Sequence, residues 1–188
     1  MKMNLQSYVR IYSGIVEPNV CKQTIEDLRN VNWLKHEYTS VSDYSSRSIN
    51  GENELSVTFE PISTKNYIES KVWEAYKNYI MSLNFQWFNG WKSFTDVRFN
   101  RYDEGQIMTL HCDHINSIFD GERKGVPIMT ALGCLNEDYE GGDLTIFDDS
   151  FIKMKTGDIV VFPSNFLFPH KVNPVLKGTR YSFVCWAW

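Results

Sequence analysis

The sequence predicts a mainly β fold with N-terminal helices: a double-stranded β-helix (jelly roll, cupin-like) buttressed by two main helices. Three observations predict it. From residue 94 onward the chain is a succession of short, alternating apolar segments punctuated by turn signals at Asp103-Glu104-Gly105, Gly141-Gly142, Thr156-Gly157-Asp158 and Lys177-Gly178. Two stretches with helical apolar spacing come before it. Aromatic residues make up 15 % of the chain, which favours a packed, β-rich core over a disordered or coiled-coil chain.

Taken in order, residues 7–16 alternate as a strand, and Glu17-Pro18-Asn19 opens a helix with Cys21, Ile25 and Leu28 on one face. Residues 33–39 read as a returning strand. Segment 40–53, rich in Ser, Asn and Gly with Tyr44 and Arg47 embedded in it, reads as a long polar loop, either a lid over a site or simply a solvated one. Residues 54–59 alternate again. Pro61-Ile62-Ser63-Thr64 then introduces the longest helix, with Ile68, Val72, Tyr76, Ile80 and Leu83 as an apolar stripe that should lie against a sheet. After Asn89-Gly90 the helical period ends, and strands follow at 94–103, 107–113, 126–135, 143–147, 151–155, 158–163, 168–173 and 179–187.

A length of 188 residues fits one domain over 1–188, with 1–92 as helical and strand support and 93–188 as the jelly-roll core. A net charge of −4 gives no basic field for nucleic acid. No apolar run follows the first residues and none could span a bilayer, and the four cysteines lack disulfide or zinc spacing. The expectation is a soluble, cytoplasmic, reduced protein without a membrane or nucleic-acid partner. Oligomeric state leaves no mark on the sequence.

The chemistry centres on Thr109-Leu110-His111-Cys112-Asp113-His114. On a strand His111 and Asp113 share one face, with Cys112 and His114 on the other. An imidazole beside a carboxylate supplies two ligands of a 2-His-1-carboxylate triad, which leaves open positions on a non-haem Fe(II). The same triplet also reads as ordinary polar strand surface. His170 is the candidate for the third ligand, since the chain has only four histidines and a jelly roll brings distant strands to one cavity. Arg180 and Ser182 share a strand face with Val184 and Trp186. A guanidinium facing inward needs an anion, either a dicarboxylate co-substrate or an internal Asp or Glu.

Several motifs occur in a fixed order. They are Arg101-Tyr102-Asp103-Glu104-Gly105-Gln106, His111-x-Asp113, Leu135-Asn136, Tyr139-Glu140-Gly141-Gly142-Asp143-Leu144-Thr145, Gly157-Asp158-Ile159-Val160-Val161-Phe162, His170-x-Val172-x-Pro174 and Gly178-Thr179-Arg180-Tyr181-Ser182. The set resembles the prolyl 4-hydroxylase-type 2-oxoglutarate/Fe(II) oxygenases from about residue 94 to the end. The resemblance implies His111, Asp113 and His170 as iron ligands and Arg180, assisted by Ser182, as the anchor of the distal carboxylate of 2-oxoglutarate. Tyr102 matches a tyrosine lining the co-substrate pocket, and Trp186 an aromatic on the final strand. Arg180 stands where many prolyl hydroxylases have Lys. Cys134 stands where a tyrosine that helps bind the co-substrate is common, which leaves Thr130 as a substitute for that contact. Fe(II), 2-oxoglutarate and O2 are implied, with ascorbate as a reductant.

The implied reaction couples decarboxylation of 2-oxoglutarate to succinate with hydroxylation of a C–H bond. A peptide or protein is the implied partner, and peptidyl proline comes first as substrate, ahead of another peptidyl residue or a free amino acid. Arg123 and Lys124 in segment 114–125, together with Trp186, are candidate substrate contacts. Two readings from other classes stand beside this one: a Zn- or Mn-dependent hydrolase or isomerase using His111, His114 and His170, and a non-catalytic cupin-like binding module.

Overall fold

The structure, a computed structural model, describes residues 4–42, 45–49, 51, 53–85, 93–113, 127–147 and 150–187. After a 3-10 turn at Leu5–Tyr8, the elements run β1 (Arg10–Tyr12), α1 (Pro18–Leu28), β2 (Leu34–Lys35), β3 (Tyr38–Ser42), β4 (Ser45–Ile49), β5 (Ser56–Thr58) and α2 (Lys65–Leu83). The second half follows as β6 (Arg98–Tyr102), β7 (Met108–His111), β8 (Met129–Cys134), β9 (Glu140–Gly141), β10 (Leu144–Ile146) and β11 (Ser150–Ile152). It ends with β12 (Ile159–Pro163), β13 (His170–Val172), β14 (Val175–Lys177) and β15 (Arg180–Ala187).

Seven strands form one sheet in the order β1-β12-β8-β15-β6-β5-β2, and four form a second in the order β11-β10-β13-β7. The large sheet is covered on both faces. Val97, Phe99, Ala131, Ile159, Val161, Phe183 and Cys185 pack outward against Leu28 of α1 and Ile68, Val72, Tyr76 and Tyr79 of α2. Tyr102, Leu132, Val160 and Phe162 point the other way, toward Leu144, Ile146 and Val172 of the small sheet and Met108 of β7. A strand buried on both faces has no polar side, which is why β8 is buried at all six positions. Two facing sheets around an apolar interior are the jelly roll that the strand pattern predicts.

The helices form where their caps and stripes place them. Pro18 occupies the first turn of α1, where its missing N–H has no partner to lose, and Cys21, Thr24 and Leu28 are its buried face. α2 buries Ile68, Val72, Ala75, Tyr76 and Tyr79 and stops at Asn84, whose φ of 51° is the left-handed geometry of a helix end. The Tyr76 hydroxyl donates to the Cys185 carbonyl at 2.8 Å and so ties α2 to β15. Gly133 has no room for a side chain: a Cβ there would lie 2.0 Å from the ring of Phe183, its direct partner on β15.

Two expectations need correction. The strand expected at 33–39 and the loop expected at 40–53 are instead a two-residue strand, β2, and a hairpin of β3 and β4 paired from Tyr38↔Ile49 to Ser42↔Ser45. Serine-rich strands carry turn-like composition, so the pairing is invisible to a composition reading; Tyr44 lies outside the described residues. The β9–β14 pair also escaped the strand pattern, being two and three residues long. Strands from the first 92 residues are built into the edges of the large sheet, with β1 on β12 and β5 on β6. Among the described residues, no helix is long and apolar enough to cross a membrane.

Candidate metal centre and its cavity

Strand pairing brings the two histidines together. His111 ends β7, His170 begins β13, and the two are direct partners in the small sheet. Their ring centroids lie 4.3 Å apart, and Phe162 meets the His170 ring edge-on at 5.0 Å. Asp113 lies just past the end of β7, so strand alternation does not itself aim its carboxylate. It nevertheless converges: its two oxygens lie 3.6 Å from His111 Nε2 and 3.7 Å from His170 Nε2. One donor atom from each of the three residues lies within 4.8 Å of the others.

The ring orientation follows from the main chain. His111 Nδ1 is 2.7 Å from the Thr109 carbonyl, and His170 Nδ1 is 3.0 Å from the Phe168 carbonyl. A carbonyl can only accept, so each Nδ1 carries a proton and each Nε2 is the ring atom turned to the centre. Burial pushes the His170 pKa down more than Asp113 raises it, which keeps the ring neutral, as a ligand must be. Burial would raise the pKa of Asp113, but His170, His111 and the Thr130 hydroxyl outweigh it and hold the carboxyl well below its usual range. Two imidazoles and a carboxylate with positions left open suit a non-haem divalent iron.

Thr130, a candidate co-substrate contact in the sequence, donates its hydroxyl to Asp113 Oδ2 at 2.5 Å and lies 2.7 Å from Ser164 Oγ. An ionised carboxylate only accepts, so the Thr130 proton goes to Asp113 and Ser164 donates to Thr130 in turn. All three side chains are buried. Thr130 sits four residues from Cys134 on β8, about 13 Å at strand rise, and therefore lies at the metal end of the interior.

Arg180 lies at the other end. It is 2 % exposed, pairs across the strands with Tyr102, and holds its guanidinium 4.9 Å over that ring. One terminal nitrogen donates to Ser182 Oγ at 3.0 Å, while Nε is buried without a partner. Among the described residues no carboxylate lies within 4 Å of it, so an internal ion pair does not account for this charge. A cavity of about 300 Å3 reaches it, bordered by Tyr139, Cys134 and Leu144 and farther out by Glu137, Asp143 and Lys155, with none of the three candidate ligands in its lining. Cys134 is the direct partner of Ser182 and its thiol is turned to the Asn136 carbonyl at 3.1 Å. A buried, uncompensated guanidinium at the end of a cavity is a receptor for an anion.

Trp186 lies on the interior face beside Thr130, its strand partner. Arg123, Lys124 and His114 lie outside the described residues. Tyr139, Ser164, Arg98 and Glu54 also stand at the site, with no role expected of them from the sequence. Arg98 could have been found by counting back in twos from Tyr102 along β6. Glu54 is 1 % exposed and accepts from the Thr109 amide at 3.1 Å and hydroxyl at 2.5 Å, with His36 3.5 Å away, so it steadies the strand that carries His111. Nothing in its sequence context marks it.

Residues 97–188 match the family model of the 2OG-Fe(II) oxygenase superfamily. A PKHD-type hydroxylase of Idiomarina loihiensis is 37 % identical over 99 residues, which is 51 % of this chain and 43 % of that protein. The chain thus spans less than half the length of that relative. Among solved structures, a prolyl hydroxylase of Trichoplax adhaerens in complex with a hypoxia-inducible-factor peptide superposes with a TM-score of 0.73 at 16 % identity, covering 96 % of this chain and 83 % of that one. A prolyl 4-hydroxylase of Pseudomonas putida gives 0.62 at 19 % identity over 96 % and 91 %. At such identities these two likenesses speak for the fold.

Proposed function

Because residues 97–188 match the family model of the 2OG-Fe(II) oxygenase superfamily, we propose that this chain is a 2-oxoglutarate- and Fe(II)-dependent hydroxylase acting on peptidyl proline. The observation that carries the proposal is the pairing of two features in one interior: the converging donors of His111, Asp113 and His170, and the buried Arg180 with no internal acid. The overall change is R–H + 2-oxoglutarate + O2 → R–OH + succinate + CO2.

The donor set fits the metal. His111 and His170 offer Nε2 atoms and Asp113 a carboxylate oxygen, and no other His, Cys, Asp or Glu of the described residues joins the group. Fe(II), when bound there, supplies activation of O2 and the oxidising power to break an unreactive C–H bond. The chain supplies the rest. Arg180 takes the distal carboxylate of the co-substrate through its fork, with Ser182 holding the guanidinium and Tyr102 its face. Leu132, Val160, Val184 and Phe162 line an apolar interior that excludes water from the reacting bond.

Hydroxylation is supported by the PKHD-type hydroxylase relative, and proline as its target by the prolyl hydroxylases of like fold. A peptide substrate is further supported by the peptide held by the Trichoplax protein. A cytoplasmic, reducing setting belongs to the same proposal, in keeping with four cysteines that form no disulfide. So does one working domain over 1–188, since β1, β2 and β5 continue the sheet that carries Arg180.

The test is anaerobic addition of Fe(II) and 2-oxoglutarate with the visible spectrum recorded, followed by succinate release in air with ascorbate present. A charge-transfer band that vanishes in His170→Ala is expected. In Arg180→Met it should require roughly thirtyfold more 2-oxoglutarate, the loss of one buried charged contact. No band together with no succinate would sink the proposal.

A further inference from the structure

A second arginine faces the same interior. Arg98 pairs with Val184 across β6 and β15, on the same face as Asn100 and Tyr102. Arg180 pairs with Tyr102, so the two arginines stand four residues apart along the paired strands, about 13 Å at strand rise. Arg98 is the one at the metal end. Its guanidinium carbon lies 5.0 Å over the ring of Trp186, whose partner Thr130 holds Asp113.

This arginine is held and aimed but not neutralised. Its Nε donates to Asn100 Oδ1 at 3.0 Å, and its face is covered by the indole. Its terminal amino groups have no partner among the described residues, and no described carboxylate lies within 4 Å. The two acids that bear on it are already engaged. Asp113 serves the two imidazoles and Thr130, and Glu54 serves Thr109 and His36. The Trp186 indole N–H is also buried without an acceptor. Burial weakens the hold of Arg98 on its proton, yet a guanidinium remains charged. Unlike Arg180, it is partly open to solvent and so can be reached after the co-substrate is in place.

We infer that Arg98, held over Trp186, binds a carboxylate of the primary substrate, so that the hydroxylated residue carries or adjoins a free carboxylate. The inference rests on the proposed hydroxylase function and narrows its substrate class. One co-substrate anchor is enough for the distal carboxylate of 2-oxoglutarate, and Arg180 with Ser182 provides it deep in the fold. A fork near the metal end with its edge unfilled then matches a second carboxylate, which can accept two parallel N–H bonds where a lone backbone carbonyl offers one oxygen. Three sources share this chemistry: a free amino acid, the C-terminal residue of a peptide, and an acidic side chain next to the target residue.

Matched pairs of probes separate them, added to the full chain loaded anaerobically with Fe(II) and 2-oxoglutarate. The pairs are L-proline and L-prolinamide; Ala-Gly-Pro and its C-terminal amide; and capped peptides with Glu or Gln beside an internal proline. Binding is read from the perturbation of the visible band. In at least one pair the carboxylate form should bind roughly thirtyfold more tightly. Arg98→Met should erase that preference while the 2-oxoglutarate midpoint of the band stays in place, and Arg98→Lys should keep part of it.

The comparison within the unaltered protein decides the matter even if Arg98→Met does not fold. A band without carboxylate preference in any pair, whether both forms bind alike or neither binds, overturns this inference alone. So does an Arg98→Met protein in which the 2-oxoglutarate midpoint moves instead. Absence of the band overturns the inference and the proposed function together.

Discussion

Replacing Thr130 with valine removes one hydroxyl and little else from the metal end of the interior. That hydroxyl is the donor to Asp113 Oδ2 at 2.5 Å, and it is itself held by Ser164 at 2.7 Å. A hydrogen bond to an ionised group contributes about 1.5–3 kcal/mol. Carried into metal binding, this corresponds to a loss of roughly 10–100-fold in affinity, the range found when an outer partner of a ligand is removed. The metal-free protein should suffer as well, because Asp113 is buried and would lose a donor. At about 2–4 °C per kcal/mol for a chain of this size, the melting temperature should fall by roughly 3–12 °C. The assay is anaerobic titration with Fe(II) at saturating 2-oxoglutarate, beside a thermal melt of the metal-free protein. Thr130→Ser keeps the hydroxyl and should bind Fe(II) nearly as the parent does. Valine binding within about threefold of the parent, or serine failing as badly as valine, would refute the assignment of Thr130 as the residue that positions Asp113.

Two further outcomes follow from the geometry. Gly133→Ala would drive a Cβ to 2.0 Å from the Phe183 ring, so it should destabilise the fold by about 1–3 kcal/mol or prevent folding; a urea midpoint equal to the parent's would show that the sheet yields there freely. The metal-free protein should also lose stability on acidification. The folded pKa of His170 lies below its unfolded value of about 6.5, so the unfolded chain binds the proton first, and stability present above that pH is lost as pH falls below it. Asp113, also depressed, adds a further loss below about pH 4. Urea midpoints that hold level or rise between about pH 7.5 and 5.5 would contradict the direction.

The cluster of His111, Asp113 and His170 was legible in the sequence because these residue types are rare and their order is constrained, although their meeting depends on β7 and β13 pairing across 59 residues of chain. The double cover of the large sheet was legible too, since it leaves apolar residues at consecutive positions of β8 and β12. Thr130 shows where such reasoning stops. Period two puts Thr130 and Cys134 on one face, but it carries no information about which end of a closed interior each occupies. The state of Arg180 was likewise undecidable: an arginine facing inward with a partner and one without have the same sequence. The hairpin of β3 and β4 was lost because serine marks turns more often than strands.

The three candidate metal ligands are fastened by two different kinds of material. Both imidazoles are oriented by main-chain carbonyls, at Thr109 and Phe168, which every amino acid possesses. The carboxylate is oriented by the side chains of Thr130 and, behind it, Ser164, which a single codon change can delete. Drift in sequence can therefore retune this centre most directly through its acidic arm, whereas side chains reach the histidine arm at one remove, through Glu54 on Thr109 and Phe162 on the His170 ring. An engineer wanting a weaker or stronger grip on the metal has the same first handle.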